Sequence, residues 1–250
     1  MVLSHRFKFI FIKTGKTAGT SIEVFFSGVC GPEDILTPFS TPEPGHLPRN
    51  YRGLFNPIRE LSVRLFGLEQ RRVGRIRPTM EDFLSRRKFF HHIPAWQVQA
   101  RTSPRIWDRY FRFCVERNPW DKVVSGWHWY NYKYGLSVSM EDYLALCAKR
   151  IAARDAGVGA FPVNYLNYTH PITGEMLVDR VLRYENLDLE FNEVLAQLGI
   201  PAEGALSVRA KSGLRASGRR YNEEFSARQR RVVAELFEDE IRVHGYTFDD

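Results

Sequence analysis

Residues 7–26 read FKFIFIKTGKTAGTSIEVFF, and this stretch decides the fold class. Its opening run, FKFIFI, alternates aromatic and aliphatic side chains, which is typical of a strand buried on both faces. Small residues follow, and then Ile22, Phe25 and Phe26 recur at the spacing of one helix face. The stretch therefore predicts a strand, a tight loop and a helix.

The loop contains Gly15-Lys16-Thr17, which invites comparison with a nucleotide-triphosphate P-loop. That motif, G-x-x-x-x-G-K-[ST], requires a glycine where this chain has Ile10, so the ATPase pattern fails at its first position. Small and hydroxylated residues still surround one lysine at a helix start, where backbone N–H groups and the helix dipole favour a phosphate or sulfate. An ordinary turn with a solvated lysine is the alternative on these residues alone.

Two further strands and several helices are predicted downstream. The strands are Tyr110 to Val115 and Val178 to Tyr184. Helix boundaries are marked by the following residues: Asn118-Pro119 (helix through Trp129), Ser139, Asp188, Gly199, Ser226 with Gln229, and Gly245. Strands that alternate with helices predict an α/β fold with a P-loop-like parallel sheet flanked by helices.

No linker or repeat divides the chain, so we predict a single domain over residues 1–250. Within it, residues 31–48 are rich in Pro, Thr and Gly and are expected to form an irregular loop. Residues 49–88 are basic and only weakly periodic, and we interpret them as an insertion with two short helices. Together they make an insertion at about 31–88 that resembles nothing we recognise.

Composition excludes several classes of protein. The chain has 250 residues, 44% of them hydrophobic, and 36 Lys and Arg against 29 Asp and Glu, which does not fit a disordered protein. It contains no apolar run of about 20 residues, so stable membrane insertion is not expected. Its three scattered cysteines form neither a disulfide framework nor a metal knuckle, and we expect a reducing, cytoplasmic location and no metal.

The basic residues cluster at 71–77, 86–88 and 209–231. Such clusters are usually solvated faces, and otherwise they bind a nucleotide, a nucleic acid or an acidic polysaccharide. Charge alone does not choose among these.

The loop after the first strand resembles the 5′-phosphosulfate loop of sulfotransferases that use 3′-phosphoadenosine 5′-phosphosulfate (PAPS), in particular the carbohydrate-type, family 2-like branch and its bacterial members. Those commonly read I-P-K-T-G-G-T-S here. The matching residues are Gly15, Lys16, Thr17, Ala18, Gly19, Thr20 and Ser21. Gly15 replaces a proline, and Ala18 replaces a glycine, which is tolerable only if that residue does not need a positive φ.

A second stretch, residues 111–130 (FRFCVERNPWDKVVSGWHWY), resembles the family segment that binds the 3′-phosphate of PAPS. The resemblance implies that Arg117 and Ser125 bind this group, and an arginine fork with a hydroxyl suits a phosphate. Glu116 and Lys122 depart from the usual pattern. An arginine paired on the surface with Glu116 or Asp121 is the alternative for this motif taken alone.

Three later segments resemble segments of the same family and occur in the same order along the chain. Residues 183–187 (RYENL) resemble a structural element, and 233–248 resemble the terminal helix with its G-Y-x-F ending, which we interpret as packing. Lys211 and Arg215 lie in a segment that resembles the loop closing over the nucleotide. The resemblance covers about residues 7–30 and 89–248, and it implies a sulfotransferase fold.

The resemblance implies O-sulfation of a carbohydrate, a glycoconjugate or another hydroxyl-bearing small molecule. Lys16 is the expected catalytic cation, and histidine is the usual base near neutral pH. His92 aligns with the family's H-x-P-A element and is the first choice, His91 is the second, and Glu23 is a weaker candidate. No role in binding the acceptor is assigned to the five tryptophans, because buried aromatic residues are commoner than sugar platforms.

Two other functions are considered. A P-loop nucleotide kinase or NTPase would need a Walker B carboxylate, which we cannot place. A basic nucleic-acid-binding module would need no nucleotide site and would show steep salt dependence. The order of the motifs favours the sulfotransferase and no nucleic-acid partner, while the acceptor and the oligomeric state stay open.

Overall fold

The computed structural model describes residues 1–69, 77–153, 163–202 and 220–249. Its sheet has five strands in the order β3-β1-β2-β4-β5. The strands are β1 (Val2–Ser4), β2 (Phe9–Phe11), β3 (Ile35–Leu36), β4 (Phe111–Glu116) and β5 (Arg180–Arg183). Helices cover this sheet, so the predicted α/β class is confirmed.

The prediction of a parallel sheet is correct for only some of these strands. β2, β4 and β5 run parallel, whereas β1 pairs antiparallel with both β2 and β3. β1 precedes the predicted strand and joins it through residues 5–8, a connection too short for the crossover that parallel strands need. β3 lies in the segment that we expected to be wholly irregular, where Ile35 pairs with Leu3.

The helices are α1 (Gly19–Val29), α2 (Pro57–Glu69), α3 (Arg77–Leu84), α4 (Ala95–Arg101), α5 (Pro104–Arg109), α6 (Pro119–Tyr134), α7 (Met140–Ala153), α8 (Tyr165–Tyr168), α9 (Leu187–Leu198), α10 (Ala227–Leu236) and α11 (Glu238–His244). None of the helices in the described ranges is both long and apolar enough to cross a membrane.

Most predicted helix boundaries are confirmed by their caps. The Asn118 side chain accepts a hydrogen bond from the Trp120 N–H, and Ser226 forms a capping box with Gln229. α6 is longer than predicted, because the chain stays helical to Tyr134 and turns left-handed only at Gly135. The predicted terminal helix is two helices, because the backbone leaves helical geometry at Phe237.

The first predicted strand is buried on both faces, as its sequence indicated. Phe9 and Phe11 of β2 pack against α1 and α9, and the Phe9 ring lies 4.5 Å from that of Phe26. Ile10 and Ile12 point to the opposite face, where they join the core around Trp96 and Trp107. The two apolar layers hold β2 at the centre of the fold.

The two helices predicted within residues 49–88 exist as α2 and α3, and a buried ionic network attaches them to α4. Arg101 of α4 donates to Glu60 of α2 at 2.7 Å and to Asp82, at the end of α3, at 2.9 Å. All three side chains are almost fully buried. The segment is thus fixed to the fold through charges that its basic composition does not reveal.

The carboxyl ends of β2, β4 and β5 meet at one edge of the sheet because these strands are parallel. β2 leads into Lys13, β4 into Arg117 and β5 into Tyr184. Ligand sites in open α/β sheets lie at this edge. The sequence motifs therefore converge on the edge where a site is expected.

Candidate active site

The loop from β2 to α1 has an unusual backbone at two residues. Lys16 and Ala18 both adopt left-handed conformations, with φ values of 62° and 60°. An alanine in this region is strained by about 1 kcal/mol, since its Cβ approaches the following carbonyl. The condition for an alanine to be tolerated here without strain is therefore not met, and the glycine usual at this place would relieve the strain.

The side chain of Asn164 makes two hydrogen bonds with the backbone of Gly15, although 149 positions separate these residues. Its side-chain oxygen accepts from the Gly15 N–H at 2.7 Å, and its NH₂ group donates to the Gly15 carbonyl at 3.1 Å. The Thr14 hydroxyl donates to the carbonyl of Val115 at 2.5 Å. These bonds tie the loop to β4 and to the start of α8. No motif marks Asn164, so sequence reasoning missed it.

The hydroxyls of the loop are not equally placed. Thr17 is fully buried and its hydroxyl lies 2.7 Å from that of Thr14, so the side chain of Thr17 points into the protein. Thr20 is partly buried and accepts from the Lys13 ammonium at 3.3 Å. The hydroxyl of Thr17 is therefore held inside the protein, whereas we predicted that the whole residue helps to bind the donor.

Lys13 lies under the first turn of α1. Its ammonium pairs with Glu23 at 2.5 Å, and its aliphatic chain runs so close to Gly19 that an added Cβ would be 2.8 Å from the Lys13 Cγ. Gly19 is thus required by a close approach. No side chain in the described ranges caps α1 at its N-terminus. The positive end of this helix is therefore available to an anion.

Glu23 does not fit the role of base. Its side chain is fully buried and paired with Lys13 and with the amine of Met1. Although burial raises the pKa of this carboxyl, the two neighbouring cations lower it to about 2. A carboxylate with so low a pKa is a poor proton acceptor.

Arg117 joins the two motifs. Its Nη1 donates to the carbonyl of Lys16 at 3.2 Å, and its Nε donates to Asp121 at 2.7 Å. The ring of Tyr184, from the RYENL element, lies 4.0 Å from the guanidinium carbon. Asp121 does pair with this arginine, but Arg117 is only 9% exposed and contacts the loop, so it is not a surface pair.

Helix α6 presents a line of side chains toward the loop. Asp121, Ser125 and Trp129 are four residues apart and so share one helix face. Arg117 contacts the first of them, and the Lys16 ammonium lies 5.5 Å from the ring of the third. Ser125 is therefore placed between the arginine and the lysine. Trp129 thus adjoins the candidate site, and we had not assigned it there.

Glu116 faces away from the candidate anion site, as expected for a neighbour of Arg117 on a strand. It is fully buried and bonded to Lys122 at 2.6 Å, to the amide of Asn164 at 3.2 Å and to the hydroxyl of Tyr168 at 3.0 Å. The two departures from the family pattern, Glu116 and Lys122, thus neutralise each other. Asn164 contacts both Glu116 and Gly15, so this buried pair helps to hold the loop in place.

His92 lies beside the loop. Its Nδ1 is 3.0 Å from the carbonyl oxygen of Lys13, and this contact requires the proton on Nδ1. Burial, together with the Lys13 ammonium, lowers the pKa of His92 to about 3, so the ring is neutral at pH 7. The remaining nitrogen, Nε2, is then unprotonated. In the free protein it binds a proton only weakly, because burial and the Lys13 ammonium oppose the charge, and the negative charge of an anion bound at the loop would raise its pKa.

His91 lies next to His92, with ring centroids 4.1 Å apart, and its other ring neighbour is Phe39 at 5.7 Å. Burial lowers the pKa of His91 strongly, and its Nδ1 has no hydrogen-bond partner among the described residues. Its catalytic role stays a prediction. Lys211 and Arg215, predicted to bind the nucleotide, lie outside the described residues.

The site thus combines an uncapped helix N-terminus, an ammonium, a guanidinium and a neutral imidazole at one edge of the sheet. This arrangement can hold an anion and accept a proton nearby. Within the described ranges no three His, Cys, Asp or Glu side chains form a group that could hold a metal ion.

No family model matches the chain. An uncharacterized protein of Archaeoglobus fulgidus is 33% identical over 119 residues, which are 47% of this chain and 89% of that protein. The chain therefore belongs to the same family as that protein, whose name carries no activity.

Among solved structures, a sulfotransferase from Alicyclobacillus acidocaldarius is similar over 93% of this chain and 92% of its own length, with 16% identity and a TM-score of 0.44. So remote a likeness decides nothing about activity. The function is argued below from the contacts of this chain and from its sequence motifs.

Proposed function

We propose that the protein is a PAPS-dependent sulfotransferase that transfers a sulfuryl group to a hydroxyl of a carbohydrate or glycoconjugate. The observation that carries the proposal is the hydrogen bond from Arg117 to the carbonyl of Lys16 at 3.2 Å. It brings the residues that resemble the family's 5′ and 3′ phosphate elements to one place, although 101 positions separate them along the chain.

The residues of the loop fit the 5′ end of such a donor. Gly19 lets the Lys13 side chain pass under the first turn of α1, where any Cβ would meet it, and this turn has no side-chain cap in the described ranges. Backbone N–H groups of residues 16–21 would hold the anionic oxygens, and the helix dipole adds to their attraction. PAPS, when bound, supplies an activated sulfuryl group.

Arg117 and Ser125 fit the 3′-phosphate. The contacts of Arg117 with Asp121 and Lys16 use three of the five N–H donors of a guanidinium. Asp121 and the ring of Tyr184 hold the guanidinium plane in position, which reduces the entropy lost when an anion binds. Ser125 lies one helical turn beyond Asp121 and adds a hydroxyl donor.

Lys16 and His92 then have complementary roles. The Lys16 ammonium stabilises negative charge that grows on the oxygen from which the sulfuryl group departs. Nε2 of His92 takes the proton of the attacking hydroxyl, while Nδ1 stays bonded to the Lys13 carbonyl and fixes the ring. Both groups adjoin the same loop.

Transfer of sulfur-35 from labelled PAPS to a panel of mono- and oligosaccharides tests the activity. We expect label in at least one acceptor with the unaltered protein, and none without protein. Absence of transfer to every sugar, together with transfer to a phenolic or other hydroxyl compound, would keep the class of enzyme and refute the carbohydrate acceptor.

Arg117→Lys is predicted to weaken binding of 3′,5′-adenosine bisphosphate by about 10- to 100-fold, since a lysine cannot reproduce the fork that contacts Asp121 and an anion together. Binding of 5′-AMP, which lacks the 3′-phosphate, should change less than about threefold by the same reasoning. Calorimetric titration measures both. An equal loss for the two nucleotides would contradict the assignment.

His92→Asn is predicted to lower the turnover number by about 100- to 10,000-fold with little loss of structure. Asparagine tolerates the left-handed φ of 57° at this position, and its NH₂ group can keep the bond to the Lys13 carbonyl, but it has no counterpart of Nε2. Steady-state kinetics with circular dichroism as a folding control measure the effect. Retention of a tenth or more of the turnover would exclude His92 as the base.

The lowered pKa of His92 also predicts how stability depends on pH. The unfolded chain binds a proton at this residue below about pH 6.5, whereas the folded protein does so only near pH 3. The free energy of unfolding therefore decreases as the pH falls between these values. Relative to His92→Asn, the unaltered protein should lose about 1 kcal/mol per pH unit below pH 6. Urea titrations of both proteins at pH 7, 6 and 5 measure the difference, and a constant difference would refute the burial of a neutral ring.

A further inference from the structure

Helix α2 buries two charged side chains and exposes three apolar ones. Its inner face carries Glu60 and Arg64, which are buried and paired with each other at 3.0 Å. Its outer face carries Ile58, Leu65 and Phe66, which are 70%, 54% and 64% exposed. A helix on the surface of a soluble domain normally has the opposite arrangement, with its apolar stripe toward the core.

The exposed apolar residues are contiguous on the helix. At about 100° per residue, Ile58, Leu65 and Phe66 fall within an arc of about 100°, and Ser62 lies inside it. Arg59 is exposed and borders this arc beside Phe66. We call the surface formed by Ile58, Arg59, Ser62, Leu65 and Phe66 the outer face of α2. Contiguous exposed apolar surface of this kind marks an interaction site.

The segment around the outer face of α2 has an excess of basic residues. Counted along the sequence, residues 49–88 hold eleven arginines and lysines and four acidic residues. Their excess of seven equals the net charge of the entire chain, which is +7, so the remaining residues are neutral as a group. Among the described residues, Arg52, Arg59, Arg77 and Arg86 are exposed. The segment that carries the exposed apolar face is therefore strongly basic in its own right.

We infer that the outer face of α2 docks the protein on an anionic phospholipid surface. An interfacial helix inserts apolar side chains at the boundary of the acyl region while neighbouring arginines attract anionic headgroups. A second copy of this chain is a poorer occupant, because the contact would set two surfaces of like charge against each other. A nucleic acid would engage the arginines but would leave Ile58 and Phe66 in water.

This inference does not depend on the proposed activity, because vesicle binding needs neither nucleotide nor acceptor. Co-sedimentation with vesicles of phosphatidylcholine and phosphatidylglycerol in equal parts tests it. We expect the protein to pellet with these vesicles, to stay in solution with pure phosphatidylcholine, and to be released as salt rises.

The double substitution Ile58→Ser with Phe66→Ser should lower the partition coefficient at least about tenfold, since both side chains lose apolar burial. Leu189→Ser is the matched control, because Leu189 is 65% exposed on α9, and it should bind as the unaltered protein does. Circular dichroism verifies that both variants are folded.

Three outcomes would overturn the inference. One is no binding to the anionic vesicles, and another is equal binding by the double variant and the unaltered protein, which would indicate adsorption by charge alone. The third is a dimer in sedimentation velocity that the double variant abolishes, which would make a second copy the occupant. Loss of binding in Ile58→Ser with Phe66→Ser but not in Leu189→Ser supports the lipid surface.

Discussion

Lys16→Ala is expected to lower kcat/KM for sulfuryl transfer by about 100- to 1,000-fold, the usual cost of removing one pre-positioned group that stabilises charge in a transition state. The ammonium lies next to the ring of Trp129 and belongs to the loop that Arg117 contacts, so it stands at the centre of the candidate site. The left-handed φ of residue 16 is equally available to alanine and lysine, so the change should not distort the loop.

Lys133→Ala provides the control for this prediction. The Lys133 ammonium lies 4.7 Å from the same Trp129 ring but on α6 and not in the loop. If Lys16 acts through its position in the loop and not through the local positive potential, removing the Lys133 ammonium should lower kcat/KM less than about fivefold. Similar losses for the two variants would show that Lys16 acts only as part of a basic surface.

Arg101→Met is expected to destabilise the fold by about 3 kcal/mol, the low end of the cost of removing one partner of a buried ion pair. The buried Glu60 and Asp82 lose their shared cation and keep their ion pairs with Arg64 and Arg87. The guanidinium is fully buried, and it also donates to the carbonyls of Arg87 and Lys88 at 3.1 and 3.0 Å. Methionine fills much of the same volume, so the loss reports the charge and the hydrogen bonds. Urea unfolding monitored by circular dichroism measures it.

Arg77→Met is the matched substitution at an exposed pair. Arg77 contacts Glu81 at 2.7 Å, but the arginine side chain is 84% exposed. Such a pair is worth at most about 1 kcal/mol. A loss at Arg101 no larger than that at Arg77 would mean that the buried network does not attach α2 and α3 to the fold.

Local signals in the sequence predicted most of the fold. The alternation of FKFIFI, the Asn118-Pro119 start and the capping box at Ser226 each depend on residues that are neighbours in the chain, so they can be recognised without tertiary context. The antiparallel β1 and β3 were missed. β3 has only two residues, and its pairing with β1 depends on a partner more than 30 positions away.

The candidate site was predicted to the extent that its residues lie in motifs. Lys16, Arg117 and Ser125 belong to two such stretches, and the structure brings Arg117 into contact with the Lys16 carbonyl at one edge of the sheet. Asn164 and Trp129 could not be found in this way. The first acts through a contact across 149 positions, and the second is one of five tryptophans that composition cannot tell apart.

The faces of α2 show a different limit of sequence reasoning. The weak periodicity of residues 49–88 assigned no side of this helix to the core, although apolar residues such as Ile58, Leu65 and Phe66 are usually buried. The opposite occurs because Glu60 and Arg64 join a network whose other members come from α3 and α4. A helix face can be assigned to the interior only when its partners are known.

A crystal structure of the protein with 3′,5′-adenosine bisphosphate is the most direct test of the central claim, that two distant stretches of chain bind the two ends of one nucleotide. The account predicts the 5′-phosphate within hydrogen-bond distance of the N–H groups of residues 16–21 and the 3′-phosphate against Arg117 and Ser125. A nucleotide bound elsewhere, or one whose 3′-phosphate lies in solvent while Arg117 stays on Asp121, would contradict it.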